Sequence, residues 1–253
     1  MRLAGHHALI TGGGTGIGAT IAVVLAGEGA RLTLVGRRRE KLEEVASGDF
    51  DALVAPADAT DRAQVDRAFA LAREAQGPIT ILVNNAGAAE AAPFATLSED
   101  AWRRTMAVNL DALLHCCQAA LPDLLGAKDG RIVTIASTAA LKGYAYTAAY
   151  VAAKHGALGL TRALAAEYAR TNLTVNAVCP GFTDTDMIAE AVVNIGNRTG
   201  RDEASARAEL AKFNPQGRLI DPAEVANAVL WLCLPESRSI NGQAIAVAGG
   251  EVM

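Results

Sequence analysis

The chain has 253 residues, 51% of them hydrophobic and 20% charged, with a formal net charge of −4. That composition supports a large core in one α/β domain. It offers no basic run to hold nucleic acid and no apolar stretch of the roughly 18 residues that span a bilayer, so neither partner is expected.

The N-terminus enters a strand pattern almost at once, without a secretory apolar region. Runs with strand character at 7–11, 31–35, 51–55 (the weakest), 79–84, 131–136, 174–178 and 244–247 alternate with helical periodicity at 17–27, 63–75, 102–121 and 150–169. Such near-continuous hydrophobicity suits parallel strands covered on both faces. Right-handed crossovers then predict a doubly wound, Rossmann-type α/β sheet. No linker or repeat interrupts the chain, so a single domain over 1–253 is expected. Cys116, Cys117, Cys179 and Cys233 form no C-x-x-C pair and read as reduced core residues of a cytoplasmic protein. The four histidines show no metal spacing, and no metal is expected.

Directly after the first run comes Thr11-Gly12-Gly13-Gly14-Thr15-Gly16-Ile17-Gly18. Glycines between a strand and a helix let the backbone approach a pyrophosphate, which sits on the helix's N-terminal N–H groups. The spacing Gly12-x-x-x-Gly16-x-Gly18 departs from G-x-G-x-x-G, and a turn that merely needs glycines is the competing reading. At the end of the second run, where an NAD enzyme places an acid on the ribose 2′-hydroxyl, the chain reads Val35-Gly36-Arg37-Arg38-Arg39. Guanidinium forks suit a 2′-phosphate, so NADP(H) is favoured; NAD(H) stays open, as does a solvated basic turn.

Further along, Ser137 ends an apolar run, and Tyr150 and Lys154 follow with i, i+4 spacing. That spacing puts phenol and ammonium on one helix face. A tyrosine keeps its proton to about pH 10, and a cation beside it is expected to bring that value toward neutrality for acid/base work. Alone, a Tyr-x-x-x-Lys pair is more often a solvated face. The segment 183–217 is longer and more polar than the other connections. It reads as a lid or, equally, a surface helical pair. Within it Met187, Ile188, Val192, Val193 and Ile195 offer apolar contacts among Asn194, Asn197, Arg198, Arg201 and Lys212.

In this order and spacing the motifs resemble the short-chain dehydrogenase/reductase family, over essentially the whole chain. The resemblance rests on the glycine loop, Asp58, Asn84-Asn85-Ala86-Gly87, Asn109, Ser137, Tyr150, Lys154 and Pro180-Gly181 followed by Thr183. It implies that Tyr150 is the acid/base and that Lys154 lowers its pKa and holds the nicotinamide ribose. Ser137 would bind the carbonyl oxygen, and Asn109 would hold a relay water. Asp58 would contact adenine, Asn84 to Gly87 would wall the cofactor, and Pro180 to Thr183 would meet the carboxamide. Taken alone, Asn109 reads as a helix cap or kink and Asp58 as a helix cap. The family further implies a small carbonyl or alcohol substrate, with 3-oxoacyl or 3-hydroxyacyl thioesters and small secondary alcohols nearest in look. A homotetramer or homodimer is implied as well. An NAD-linked dehydrogenase of a cyclic or aromatic alcohol is the enzymatic alternative; a non-catalytic nucleotide-binding protein is the other, against which the intact Ser137, Tyr150 and Lys154 set argues.

Overall fold

A computed structural model describes residues 1–48 and 50–253, with the side chains at 194, 195, 198 and 199 outside the described set. The expected lid contacts of Asn194, Ile195 and Arg198 therefore fall outside the described residues. Seven parallel strands form one sheet in the order β3-β2-β1-β4-β5-β6-β7. They are β1 (His7–Thr11), β2 (Arg31–Gly36), β3 (Ala52–Pro56), β4 (Ile81–Asn84), β5 (Arg131–Ile135), β6 (Thr174–Pro180) and β7 (Ala244–Val247). The weak run at 51–55 is thus the edge strand β3. The run expected from 79 pairs only from Ile81, because Pro78 lies just ahead and Ile79 turns its backbone N–H to the Asp123 carboxylate at 3.2 Å.

Successive strand residues point to opposite faces, which sorts the core into two layers. Ile10, Val83 and Val133 pack with Ile21 and Leu25 of α1 (Gly16–Gly27) and Val225 and Val229 of α9 (Pro222–Cys233). Their neighbours Leu9, Leu82 and Ile132 pack with Phe69 of α3 (Arg62–Gln76) and Cys116 and Ala120 of α5 (Ala112–Gly126). Each of these Val, Leu, Ile and Phe side chains contributes about 1.5–3 kcal/mol when fully buried. All four cysteines are buried and unpaired. Among the described residues no helix is long and apolar enough to cross a membrane.

The strand order reverses between β1 and β4, leaving a crevice at the carboxyl ends of the strands. The helix expected over 102–121 is broken in three: α4 (Glu99–Met106), a π turn at Ala107–Asp111, and α5. Asn109 causes the break. Its side-chain Nδ2 donates to the Thr105 carbonyl at 2.9 Å, the acceptor its own backbone N–H would use in an α-helix. The segment 183–217 forms α7 (Asp186–Thr199) and α8 (Glu203–Ala211), which share a small core of Val192, Ala206 and Leu210 with Ile188 and Phe182 against it. Met187 and Val193 stay exposed.

Candidate active site

Thr11 ties the glycine loop to the end of β4. Its hydroxyl accepts from the backbone N–H groups of Asn85 at 3.0 Å and Ala86 at 3.1 Å. Asn85 returns the bond, donating Nδ2 to the carbonyls of Thr11 and Gly12, each at 3.1 Å. Gly12 has φ +64°, and a Cβ there would lie 2.9 Å from Asn85 Nδ2. At Gly18 a Cβ would lie 2.2 Å from the Gly12 carbonyl oxygen, so no other residue fits. Thr15 enters α1 without a side-chain cap, and the first turn carries no acid. The helix start therefore presents free N–H groups and an unopposed positive dipole end, the chemistry a pyrophosphate needs. Ile17 packs inward behind it.

The Gly13 N–H donates to the Val35 carbonyl at 3.3 Å, which sets the end of β2 beside the loop. Arg37 and Arg38 are exposed there. The ion pairs of this turn use their neighbours instead, Arg39 with Glu43 and Lys41 with Glu44. Among the described residues neither the Arg37 nor the Arg38 guanidinium makes an ion pair. Asp58 is not a helix cap: Asp61 caps α3, accepting from the N–H groups of Ala63 and Gln64. Asp58 instead accepts from the Thr60 N–H at 2.9 Å and hydroxyl at 2.8 Å, an arrangement that fixes its carboxylate past the end of β3.

Across the crevice, α6 (Ala148–Glu167) carries Tyr150 and Lys154. Lys154 is 5% exposed, and its ammonium donates to the Ile135 carbonyl at 2.9 Å while lying 5.6 Å from the Tyr150 ring centre. Burial lowers its pKa to about 8. The expected lowering of the Tyr150 pKa is not found. Burial raises it, against an opposing pull from the Ser137 hydroxyl. The ammonium is engaged by a carbonyl, so desolvation decides the balance. Ser137 follows β5, and its hydroxyl accepts from the Ala139 N–H at 3.0 Å.

Asn109 is fully buried and grips the chain beyond β4. Its Nδ2 donates to the Ala88 carbonyl at 2.8 Å, and its Oδ1 accepts from the Ala88 N–H at 3.3 Å. A Cβ at Gly87 would sit 2.9 Å from Asn109 Oδ1 and 3.6 Å from Lys154 Nζ. The bare Gly87 backbone thus lets both groups approach it closely. Asn84 is buried, with Oδ1 lacking a partner among the described residues. At the end of β6, after Pro180, the Gly181 N–H donates to Val247 at 3.0 Å. Thr183 donates its hydroxyl to the Gly181 carbonyl at 3.0 Å. Thr185, at the start of α7, brings Cγ2 within 3.1 Å of where a Gly16 Cβ would stand. Every sequence-predicted residue from Gly12 to Thr183 accordingly lies on elements bordering the carboxyl edge of the sheet.

Sequence reasoning missed a polar group under this edge. Tyr144 donates its hydroxyl to Glu251 Oε1, which Lys142 also contacts at 3.1 Å. No local pattern marks Glu251, since its partners lie more than a hundred residues earlier. Tyr144, Phe182 and Phe213 also cluster edge-on and stacked, with ring centres 4.9–6.1 Å apart.

A family model described as short chain dehydrogenase matches residues 6–195. The chain belongs to the short-chain dehydrogenase/reductase family. It is 36% identical over 249 residues to a granaticin polyketide synthase putative ketoacyl reductase of Streptomyces violaceoruber, covering 96% of this chain and 92% of that protein. Its fold superposes on an actinorhodin polyketide ketoreductase variant with NADPH at TM-score 0.93 and 33% identity, covering 99% of this chain and 98% of that one. Levodione reductase superposes at TM-score 0.92 and 30% identity, covering 99% and 98%. This chain is thus an oxidoreductase of that family.

Proposed function

We propose that the protein is an NADP(H)-dependent reductase/dehydrogenase interconverting a ketone and a secondary alcohol, with 3-oxoacyl or 3-hydroxyacyl thioesters as its substrate class. The observation that carries this reading is the convergence of Ser137, Tyr150, Lys154 and Asn109 on the edge that the glycine loop opens. The residues fit a dinucleotide: the loop admits no side chain at Gly18, and the first turn of α1 is uncapped by acid. Gly12, Thr15, Gly16, Ile17 and Gly18 would hold the pyrophosphate and Asp58 the adenine. Arg37 and Arg38 would hold a 2′-phosphate, and Asn84, Ala86, Gly87, Pro180, Gly181 and Thr183 the nicotinamide end. When bound, the cofactor supplies or accepts the hydride.

Tyr150 gives its proton to the developing alkoxide during reduction and takes it back during oxidation. A phenol whose pKa burial has raised holds that proton until the substrate oxygen becomes a stronger base. Ser137 donates to the same oxygen, stabilising charge as it forms. Lys154 holds the ribose hydroxyls, and Asn109, which packs with Lys154 against Gly87, holds a relay water. The helices α7 and α8 form a lid whose exposed Met187 and Val193 meet the substrate.

The ring cluster of Tyr144, Phe182 and Phe213 favours a second reading, an NAD-linked dehydrogenase of a cyclic or aromatic secondary alcohol. Titrating NADPH and NADH by fluorescence, with turnover of an acetoacetyl thioester and of a cyclic ketone, separates the two. Tyr150→Phe is expected to abolish turnover while NADPH still binds; unchanged turnover removes Tyr150 from the chemistry.

A further inference from the structure

Ser137 and Tyr150 stand at the two ends of one loop, so their spacing depends on what holds that loop in place. The loop is strained: Tyr146 has φ +66°, the one positive value outside glycine among the described residues. It is also stapled midway. The Thr138 hydroxyl lies 2.6 Å from the Tyr144 hydroxyl, which itself donates to Glu251 Oε1. With the Tyr144 proton committed to the carboxylate, Thr138 is the donor to Tyr144. Lys142 reaches the same carboxylate at 3.1 Å and the Glu251 backbone carbonyl at 3.5 Å.

The Glu251 side chain is 1% exposed, and its second oxygen is buried without a partner among the described residues. That oxygen lies 2.9 Å from where a Gly181 Cβ would stand. A buried, half-satisfied carboxylate costs stability, and burial of this kind needs a compensating role. The three residues it engages provide one: Lys142 and Tyr144 belong to the loop, and Gly181 belongs to the segment beside it.

We propose that Glu251 is a positioning residue for the Ser137–Tyr150 pair, fixing the intervening loop through Tyr144 and Thr138 and setting it against Gly181. The inference rests on the assignment of Ser137 and Tyr150 to proton transfer at a carbonyl. Glu251 acts through other residues and does not itself exchange a proton with the substrate.

Glu251→Ala, Glu251→Gln and Tyr144→Phe test this in the full chain. A displaced reacting group costs about 10- to 100-fold in turnover. Glu251→Ala and Tyr144→Phe are each expected to lower kcat by about tenfold, with the NADPH Kd moving less than about twofold. Glu251→Gln, which keeps an acceptor for the Tyr144 hydroxyl, is expected to recover most of the loss. The double variant Tyr144→Phe/Glu251→Ala is expected to be no worse than either single one, because both break one path.

Amide hydrogen exchange supplies a readout independent of turnover. It is expected to quicken over 138–147 in Glu251→Ala and Tyr144→Phe, and to stay slow in Glu251→Gln and across β1 and β4. Additive losses of kcat, or exchange that is unchanged in the loop or faster everywhere, overturn the inference. If the wild type turns over no ketone, the proposed function fails, and local exchange alone then decides whether Glu251 orders the loop.

Discussion

Lys154 donates to the Ile135 carbonyl at 2.9 Å, turning its charge toward β5 rather than leaving it with the Tyr150 phenol. The bond anchors the ammonium while burial brings its pKa down to about 8, from the usual 10.5. Displacement of that size amounts to about 3 kcal/mol against the charged form. The protein thus holds a cation that titrates close to working pH. If that cation holds the nicotinamide ribose, NADPH affinity should decline as pH rises through about 8. Fluorescence titration of NADPH between about pH 6 and 10 checks this. A flat profile, or one declining only near 10.5, would show that Lys154 contributes no charge to binding.

The same displacement predicts a trade of stability against activity. Since the folded value lies below the unfolded one, the unfolded chain binds the extra proton between about 8 and 10.5. Wild-type stability should therefore rise with pH across that window, and the penalty should be fully present below it. Lys154→Met removes the buried charge and leaves the Ile135 carbonyl without its donor, which offsets part of the gain. The net expectation is a variant more stable than wild type by about 1–2 kcal/mol at neutral pH, a few degrees in Tm, and inactive. Thermal melts at about pH 7 and pH 10 measure the difference, which should shrink at the higher pH. A less stable variant at neutral pH would mean that the Ile135 bond outweighs the desolvation.

How much the sequence carried depends on the range of the interactions involved. Strands such as 7–11 and 131–136 are legible because their residues are mostly apolar, which parallel strands under two helical layers require. The glycine loop was legible because Gly18 can be nothing else against the Gly12 carbonyl. Asn109 reads locally as a helix cap or kink, and a kink is what forms, but the run 102–121 carries no proline or glycine to announce the π turn, which arises from a side chain competing with the backbone. The direction of the Tyr150 pKa is not legible in the sequence because i, i+4 spacing gives proximity but not burial, and burial sets the direction. Glu251 was invisible: nothing near the C-terminus announces that Tyr144 will meet it across the sheet.

Arg37 and Arg38 stand exposed at the end of β2, outside the local ion pairs. A guanidinium on a dianionic phosphate is a charge-assisted, bidentate contact, and one such bond is worth about 1.5–3 kcal/mol. Arg37→Asp replaces it with repulsion of the phosphate and an acceptor for a ribose hydroxyl. The NADPH Kd should rise by about 10- to 100-fold while that of NADH changes by less than about threefold. Equal effects on both cofactors would remove Arg37 from phosphate recognition.

Asn109 offers the last test, since its side chain satisfies three backbone groups from a fully buried position: Thr105 O, Ala88 O and Ala88 N. Asn109→Ala leaves the two Ala88 groups without that partner and frees the Thr105 carbonyl for the N–H of residue 109, so α4 and α5 can merge into a regular helix, at a cost of about 1–3 kcal/mol for each group left unsatisfied. Water entering the space lowers the sum, so a Tm loss of about 5–10 °C is expected. Asn109→Asp keeps the acceptor for the Ala88 N–H but sets carboxylate oxygens against two carbonyls, and should be at least as unstable at neutral pH. Lowering the pH protonates that carboxyl and restores a donor, so its melting temperature should climb relative to wild type between about pH 7 and 4. If Asn109 also holds Gly87 in place beside Lys154, both variants should lose turnover by more than their melting curves explain when assayed well below Tm. Full activity in a folded Asn109→Ala protein would confine Asn109 to building the π turn.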